Sequence, residues 1–116
     1  MERKKTNKLV NEGNQFPQDT WTITGKVTDK ENKPVAGLIV SAYDKDLLFD
    51  DVLGTTSTDE NGNFEVIYRE ESFRDLFDKK PDIYLKILDI TGKILYTSRK
   101  KIRFEAKKIE HFTIKI

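Results

Sequence analysis

From Trp21 onward the chain keeps a period of two. Trp21, Ile23, Gly25 and Val27 fall on one side of an extended backbone, and Thr22, Thr24, Lys26 and Thr28 on the other. That alternation belongs to a strand with one face in a core and one in water. It recurs along the chain between clusters of turn formers. Leu38, Val40 and Ala42 alternate with Ile39, Ser41 and Tyr43, and both faces are apolar enough to predict a strand interior to its sheet. A short strand is expected over 54–58, another with Phe64, Val66 and Tyr68 inward, and the longest apolar one over 83–90. Residues 94–97 are expected to return beside it, 102–104 to form a short strand, and 109–116 to end the chain with Phe112, Ile114 and Ile116 inward.

The punctuation is equally regular. Asp29 to Pro34 and Thr91-Gly92-Lys93 break the alternation. Asp59-Glu60-Asn61-Gly62 is the strongest turn signal, because Gly62 accepts positive φ and Asp and Asn tolerate turns; it predicts a hairpin between its flanking strands. One short helix is predicted near 71–79. Phe73, Leu76 and Phe77 share a helical face, Ser72 and Asp75 have capping-box spacing, and Pro81 prevents continuation. Seven strands at this spacing predict an all-β, seven-stranded antiparallel β-sandwich with Greek-key connections, and a small barrel is the alternative.

The sequence has 116 residues, which suits one domain. Residues 1–19 lack a period and are expected to be a flexible tail before a domain spanning 20–116. Before Trp21 the only adjacent apolar pair is Leu9-Val10, too little for the apolar stretch of a secretory leader, and no run reaches membrane length. The default expectation is a cytoplasmic chain. Export without a cleaved leader, or origin as a piece of a longer protein, are the alternatives.

Composition narrows the chemistry. There is no Cys, so disulfides, thiolate metal sites and cysteine nucleophiles are excluded. The single histidine, His111, shares the polar phase of its strand with Ile109, Thr113 and Lys115, away from any nucleophile–base pair. Neither phosphate-cradling glycine motif occurs. No catalytic residue and no cofactor is therefore expected. The formal charge of +1 conceals an acidic stretch over 29–82 (7 basic, 14 acidic) and a basic one over 93–116 (8 basic, 2 acidic).

Each stretch holds a candidate site. Asp44, Asp46, Asp50 and Asp51 lie within eight residues, with Asp59 expected to approach across the sheet end. Hard cations such as calcium take carboxylate oxygens, but Leu48 and Phe49 stand where an EF-hand needs a ligand and a glycine. These five are weak metal candidates, and the plainer expectation is that the carboxylates are solvated, or balanced by Lys45 and a neighbouring Arg. Arg99-Lys100-Lys101-Ile102-Arg103 with Lys107-Lys108 is the nucleic-acid candidate, with Phe104 and Phe112 nearby. Phe112 points inward by the alternation, and a pI near 7.9 lies below the range of such binders. The partners expected are instead a protein or a second copy, with no membrane insertion.

Gly25-Lys26-Val27-Thr28-Asp29, Pro34-Val35-Ala36-Gly37, Val40-Ser41-Ala42-Tyr43-Asp44, Leu53-Gly54 and Thr58-Asp59-Glu60-Asn61-Gly62-Asn63-Phe64 together resemble the transthyretin-like (prealbumin-like) group, which includes carboxypeptidase regulatory-like domains. The resemblance implies the sandwich and an accessory, binding or tethering role, including within larger secreted or toxin-associated systems; it implies no single activity. It does not bring two related enzyme activities with it. Hydroxyisourate hydrolases use several histidines and a C-terminal Tyr-Arg-Gly-Ser, and intradiol dioxygenases hold iron with two Tyr and two His. This chain has one histidine and ends Thr113-Ile114-Lys115-Ile116. A small-ligand or calcium-binding domain, or less readily a hydrolytic one, using the 44–59 end is the alternative reading.

Overall fold

The computed structural model describes residues 20–73 and 80–116. Seven strands form two sheets: β1 Thr20–Thr28, β2 Ile39–Asp44, β3 Asp51–Ser57, β4 Asn63–Arg69, β5 Ile83–Leu88, β6 Ile94–Thr97 and β7 Ile109–Lys115. One sheet has three strands in the order β4-β1-β7; the other has four, β3-β2-β5-β6. β2 lies between two neighbours, as its two apolar faces predict. The inward residues of both sheets meet in one core, where Ile23, Val27, Val40, Ala42, Ile83, Leu85 and Ile87 are wholly buried. Burying each large aliphatic side chain contributes about 1.5–3 kcal/mol, which is what holds two half-apolar sheets face to face. No helix among the described residues is long and apolar enough to cross a membrane.

Gly25 shows how tightly the sheets are built. A Cβ there would overlap the Phe64 ring and lie 2.8 Å from the Phe112 carbonyl. Gly25 pairs with both residues in register, so its missing side chain makes room for the Phe64 ring. This is the close approach, not the bulge, that a glycine in a strand allows. A bulge lies in β3 instead, where Ala42 pairs with Gly54 and Tyr43 with Val52, leaving Leu53 as the extra residue. Because Tyr43 and Asp44 hold Val52 and Asp51 in register, β3 starts at Asp51, three residues before the strand expected at 54.

Two further expectations are corrected. The sandwich is not wholly antiparallel: β7 runs parallel to β1, from Thr22↔Ile109 to Thr28↔Lys115. The segment 98–108 carries the chain back to the end where β1 starts, so β7 leaves in the same direction. The turn after Ser57 forms as expected, but β3 and β4 belong to different sheets, so it closes an arch and not a hairpin. Likewise Thr28 bridges Pro34 only briefly before the chain crosses to β2 through Gly37, whose φ is 77°. In both places the strands on either side of the turn bury their apolar faces against each other, which sheet pairing would prevent. True hairpins join β2 to β3 and β5 to β6.

Where a helix is expected near 71–79, the described residues form a single 3-10 turn, Glu70–Ser72, with no side-chain cap. Residues 74–79, including the capping-box residue Asp75, lie outside the described residues, as does the tail over 1–19. β5 ends at Leu88 because Asp89 starts the next turn. The strand expected at 102–104 reduces to one bridge, Ile83↔Arg103.

One end of the sandwich carries three copies of one device. Asp29, Asp59 and Asp89 each use their carbonyl to accept the N–H three residues on, at 2.9–3.0 Å. Each uses one carboxylate oxygen to accept the N–H groups two and four residues on, at 2.8–3.1 Å. The fourth residue of each is left-handed: Asn32 at φ 68°, Gly62 at 77° and Gly92 at 93°. Backbone hydrogen bonds lower the Asp29 carboxyl below its ordinary range, and the Thr91 hydroxyl leads in lowering that of Asp89.

Candidate functional site

The other end holds the loop between β2 and β3, the 98–108 segment and the start of β1. Four of the five acidic candidates lie here. Asp59 does not: Asp44 pairs with Asp51 while Ser57 pairs with Ile39, so Asp59 sits past the far end of β2. Five residues of strand, about 17 Å, separate the two ends. The Asp59 carboxylate is occupied by the amides of Asn61 and Asn63.

The remaining four have separate tasks. Asp44 is fully buried, and its Oδ1 accepts the Asp82 amide at 2.8 Å. Asp82 in turn accepts the Glu105 amide at 2.8 Å, so two carboxylates staple β2, the entry to β5 and the 98–108 segment together. Asp46 donates its amide to Asp50 Oδ1 at 3.1 Å and accepts the Leu47 amide at 2.7 Å. Asp51 is exposed at the start of β3. Asp50 is the anchor: its Oδ2 accepts both the Tyr84 hydroxyl and Arg99 Nη1 at 2.5 Å. The Tyr84 hydrogen bond, reinforced by Arg99 against partial desolvation, holds the Asp50 carboxyl at about 2. Burial, then the same hydrogen bond, pushes the Tyr84 hydroxyl up to about 12. The pair is therefore a charged acceptor and a neutral donor across the whole ordinary pH range.

Tyr84 stacks on Tyr43, its cross-strand partner, with centroids 5.1 Å apart. Lys86 lies 5.1 Å from the Tyr43 centroid and Arg99 5.2 Å from that of Tyr84, so cations close the stack at both ends. Arg99, 49 residues on, is the arginine that balances the acidic loop, and the sequence carries no local signal for it; Lys45 donates to the Asp46 carbonyl. Among the described residues, no three or more His, Asp or Glu side chains gather as a metal-ligand set.

This anchored stem carries an apolar tip. Leu47, Leu48 and Phe49 are 96%, 85% and 81% exposed. Beside them, a cavity of about 250 Å³ is lined by Lys45, Asp46, Leu47, Asp82, Ile102 and the exposed Phe104. Nothing among the described residues covers these three apolar side chains.

The basic segment is partly committed within the fold. Arg99 is held by Asp50. Arg103 donates to Glu110 Oε1 at 3.0 Å and to the His111 carbonyl at 2.7 Å, with its guanidinium 3.7 Å from the centroid of the buried Phe112 ring. Lys108 lies over Trp21 at 5.2 Å. His111 is exposed on the outer face of the three-stranded sheet, as its phase predicts, and its Nδ1 meets Thr24 Oγ1 at 2.8 Å. A cavity of about 540 Å³ beside it includes Asp59 and Glu65, at the turn end and remote from the acidic loop.

A family model described as the transthyretin-like family matches residues 24–105. No match is found among curated proteins. Among solved structures, the chain is similar to a 9R-lipoxygenase from Cyanothece PCC8801, with a TM-score of 0.59 and 24% identity over 85% of this chain. The chain covers 17% of that lipoxygenase. It is also similar to the dioxygenase domain of a dioxygenase–carbohydrate-binding protein fusion from Streptomyces sp. SirexAA-E, with a TM-score of 0.53, 14% identity, and coverage of 89% of this chain and 82% of that one. At these identities the likeness is one of fold.

Proposed function

This chain belongs to the transthyretin-like family, and we propose that it is a non-catalytic β-sandwich module that docks on a protein partner, as an accessory or structural unit. One observation carries the reading. Three consecutive large apolar side chains, Leu47 to Phe49, stand in water on a loop whose stem is fixed by the hydrogen bonds of Asp46 and Asp50. Contiguous apolar groups presented this way mark surfaces that a partner covers, and aromatic and aliphatic anchors dominate the energy of such contacts. The use of the acidic residues supports it: Asp44 and Asp50 spend their carboxylates on supporting the loop, not on a reacting centre. The fold's likeness to a small part of a lipoxygenase is in keeping with a unit attached to other machinery.

The test places benzoylphenylalanine at position 48 and irradiates the chain in an extract of its native cell. A discrete adduct that unlabelled chain competes away, and that the Leu47→Ser/Leu48→Ser/Phe49→Ser chain does not compete away, supports docking through the tip. Equal competition by both chains removes the tip as the docking surface. Light scattering on the purified chain separates a second copy from a different partner: a strict monomer at high concentration removes self-association.

A further inference from the structure

Among the described residues, β7 is paired on one side only. At its two ends the Thr22 amide donates to the Lys108 carbonyl and the Ile116 amide to the Thr28 carbonyl. Those bonds fix the phase of the parallel ladder. Even-numbered residues of β7 turn their backbone groups to β1, and Ile109, His111, Thr113 and Lys115 turn theirs away. Arg103 takes the His111 carbonyl and covers the lower half of this edge. Above it, the N–H and C=O groups of Thr113 and Lys115 have no partner among the described residues.

The two sheets also differ in width. They are in contact along β3 and β4, so the extra strand of the four-stranded sheet falls on the opposite side, as β6, next to the free edge of β7. Tyr96 of β6 pairs with the inward Ile87, so it faces the core side. It is only half-buried there, where Ile87 is fully buried. Ile116 is half-buried as well. The result is a slot one strand wide, with backbone hydrogen-bonding groups along one wall and Tyr96 and Ile116 on its inner side.

We propose that this slot receives an extended segment of a partner protein as a fourth strand beside β7, with apolar residues turned inward and acidic residues outward. It rests on the reading of the chain as an interaction module and adds a second surface, separate from the tip. Main-chain hydrogen bonds supply affinity in such strand addition and alternate side chains supply specificity. The inward row meets Tyr96 and Ile116. The outward row meets His111 and the cationic Lys115, with the cationic Lys26 one strand further in, all exposed. A second copy fits worse. Antiparallel pairing of two β7 strands about Thr113 would set each Lys115 beside the other copy's His111, with no carboxylate in the row to balance them.

The test titrates the full chain with a blocked octapeptide of four Val-Glu repeats and follows backbone amide exchange by NMR. Thr113 and Lys115 amides exchange freely in the chain alone and slow by at least about tenfold in the complex, while Ile114, already bonded to β1, is unchanged. A Val-Lys octapeptide binds more weakly, and Lys115→Glu, an exposed change that leaves the fold intact, weakens Val-Glu by about fivefold and reverses the order of the two peptides. No slowing with Val-Glu overturns the proposal. So does protection of Thr113 and Lys115 in the chain alone: if it grows with concentration the slot holds a second copy, and if it does not, the chain's own N-terminal segment fills it. The titration does not involve Leu47 to Phe49, so its failure leaves the crosslinking result at the tip standing, and the reverse.

Discussion

The two ends of the sandwich are made by opposite means. At the turn end, each of three Asp residues satisfies its loop within five residues of chain, with the same bonds and the same left-handed fourth position. At the loop end, apart from the local Asp46–Asp50 closure of the loop itself, the fixing contacts reach between elements: Asp44 reaches Asp82, Asp50 reaches Tyr84 and Arg99, and Arg103 reaches Glu110 and His111. Local chemistry makes the first end a set of independent closures. Shared partners make the second a connected network, and that network carries the apolar tip and borders the open edge.

The largest effect that tests this contrast lies at the turn end. Gly62 and Gly92 occupy the same place in the same kind of turn. A Cβ at Gly62 would collide with the Val27 carbonyl, whereas nothing lies near a Cβ at Gly92. Gly62→Ala is therefore expected to cost about 3 kcal/mol, from positive φ plus a backbone clash, and Gly92→Ala about 1 kcal/mol from φ alone. Urea unfolding of the two chains measures both. Equal costs would mean that the turn conformation alone sets the penalty and that the arch is less tightly packed than its neighbours indicate.

Next comes the anchor of the loop end. Asp50→Ala removes a carboxylate that accepts three hydrogen bonds and leaves the nearly buried Tyr84 without it, at a cost of about 2 kcal/mol. The network predicts non-additivity: Arg99→Met costs less in the Asp50→Ala chain than in the parent, because both disable one cluster. Asp59→Ala, at the other end and sharing no partner with Asp50, costs about 1 kcal/mol and adds to it fully. Additivity of Asp50 with Arg99, or coupling of Asp50 with Asp59, would erase the distinction between the ends.

Titration sharpens the same comparison. The Asp50 carboxyl is depressed to about 2, so its contribution is complete above the ordinary carboxylate range near 3.8 and is lost as pH falls towards 2. Asp29 and Asp89 are lowered too and lose their contributions on the same acid side. Tyr84 is raised from 10 to about 12, so its neutral form contributes fully below pH 10 and the contribution fades as pH rises through 12. The Asp50→Ala chain should lose less stability than the parent between pH 4 and 2, followed by thermal melting in steps of pH. An unchanged acid limb would show that Asp50 titrates alike in the folded and unfolded chains.

The same physical difference decides what could be read from the sequence. Strands were legible because burial on one face writes a period of two into the residues, and the Asp59 turn because its conformation is local. Strand partnership was not. The Asp29 and Asp59 turns look like hairpins in sequence, yet they close arches, because nothing local says whether the next strand stays in its sheet or crosses to the other. The parallel run of β7 is hidden for the same reason. The recurrence of the turn at Asp29, Asp59 and Asp89 was available in the sequence, in the D-x-x-N and D-x-x-G spacing, but a turn expected at Thr91-Gly92-Lys93 begins two residues earlier. Around the candidate site, the acidic loop was legible and its meaning was not: that Asp50 meets Arg99, or that Arg103 covers part of an edge, depends on contacts no sequence window contains.

The smallest expected effect on stability is the most informative about function. Leu47, Leu48 and Phe49 are apolar, so replacing them would normally be among the most damaging changes to a fold. Here they bury almost nothing, and the stem that holds them is fixed by backbone amides and by Asp50, none of which the substitution touches. The triple serine chain is therefore expected to unfold within about 0.5 kcal/mol of the parent, as surface changes do. It should keep the stacked Tyr43–Tyr84 pair, visible in near-UV dichroism. A loss comparable to that of Asp50→Ala would mean that the tip packs against the chain in solution, and the apolar groups would then be part of its core instead of a surface offered to a partner.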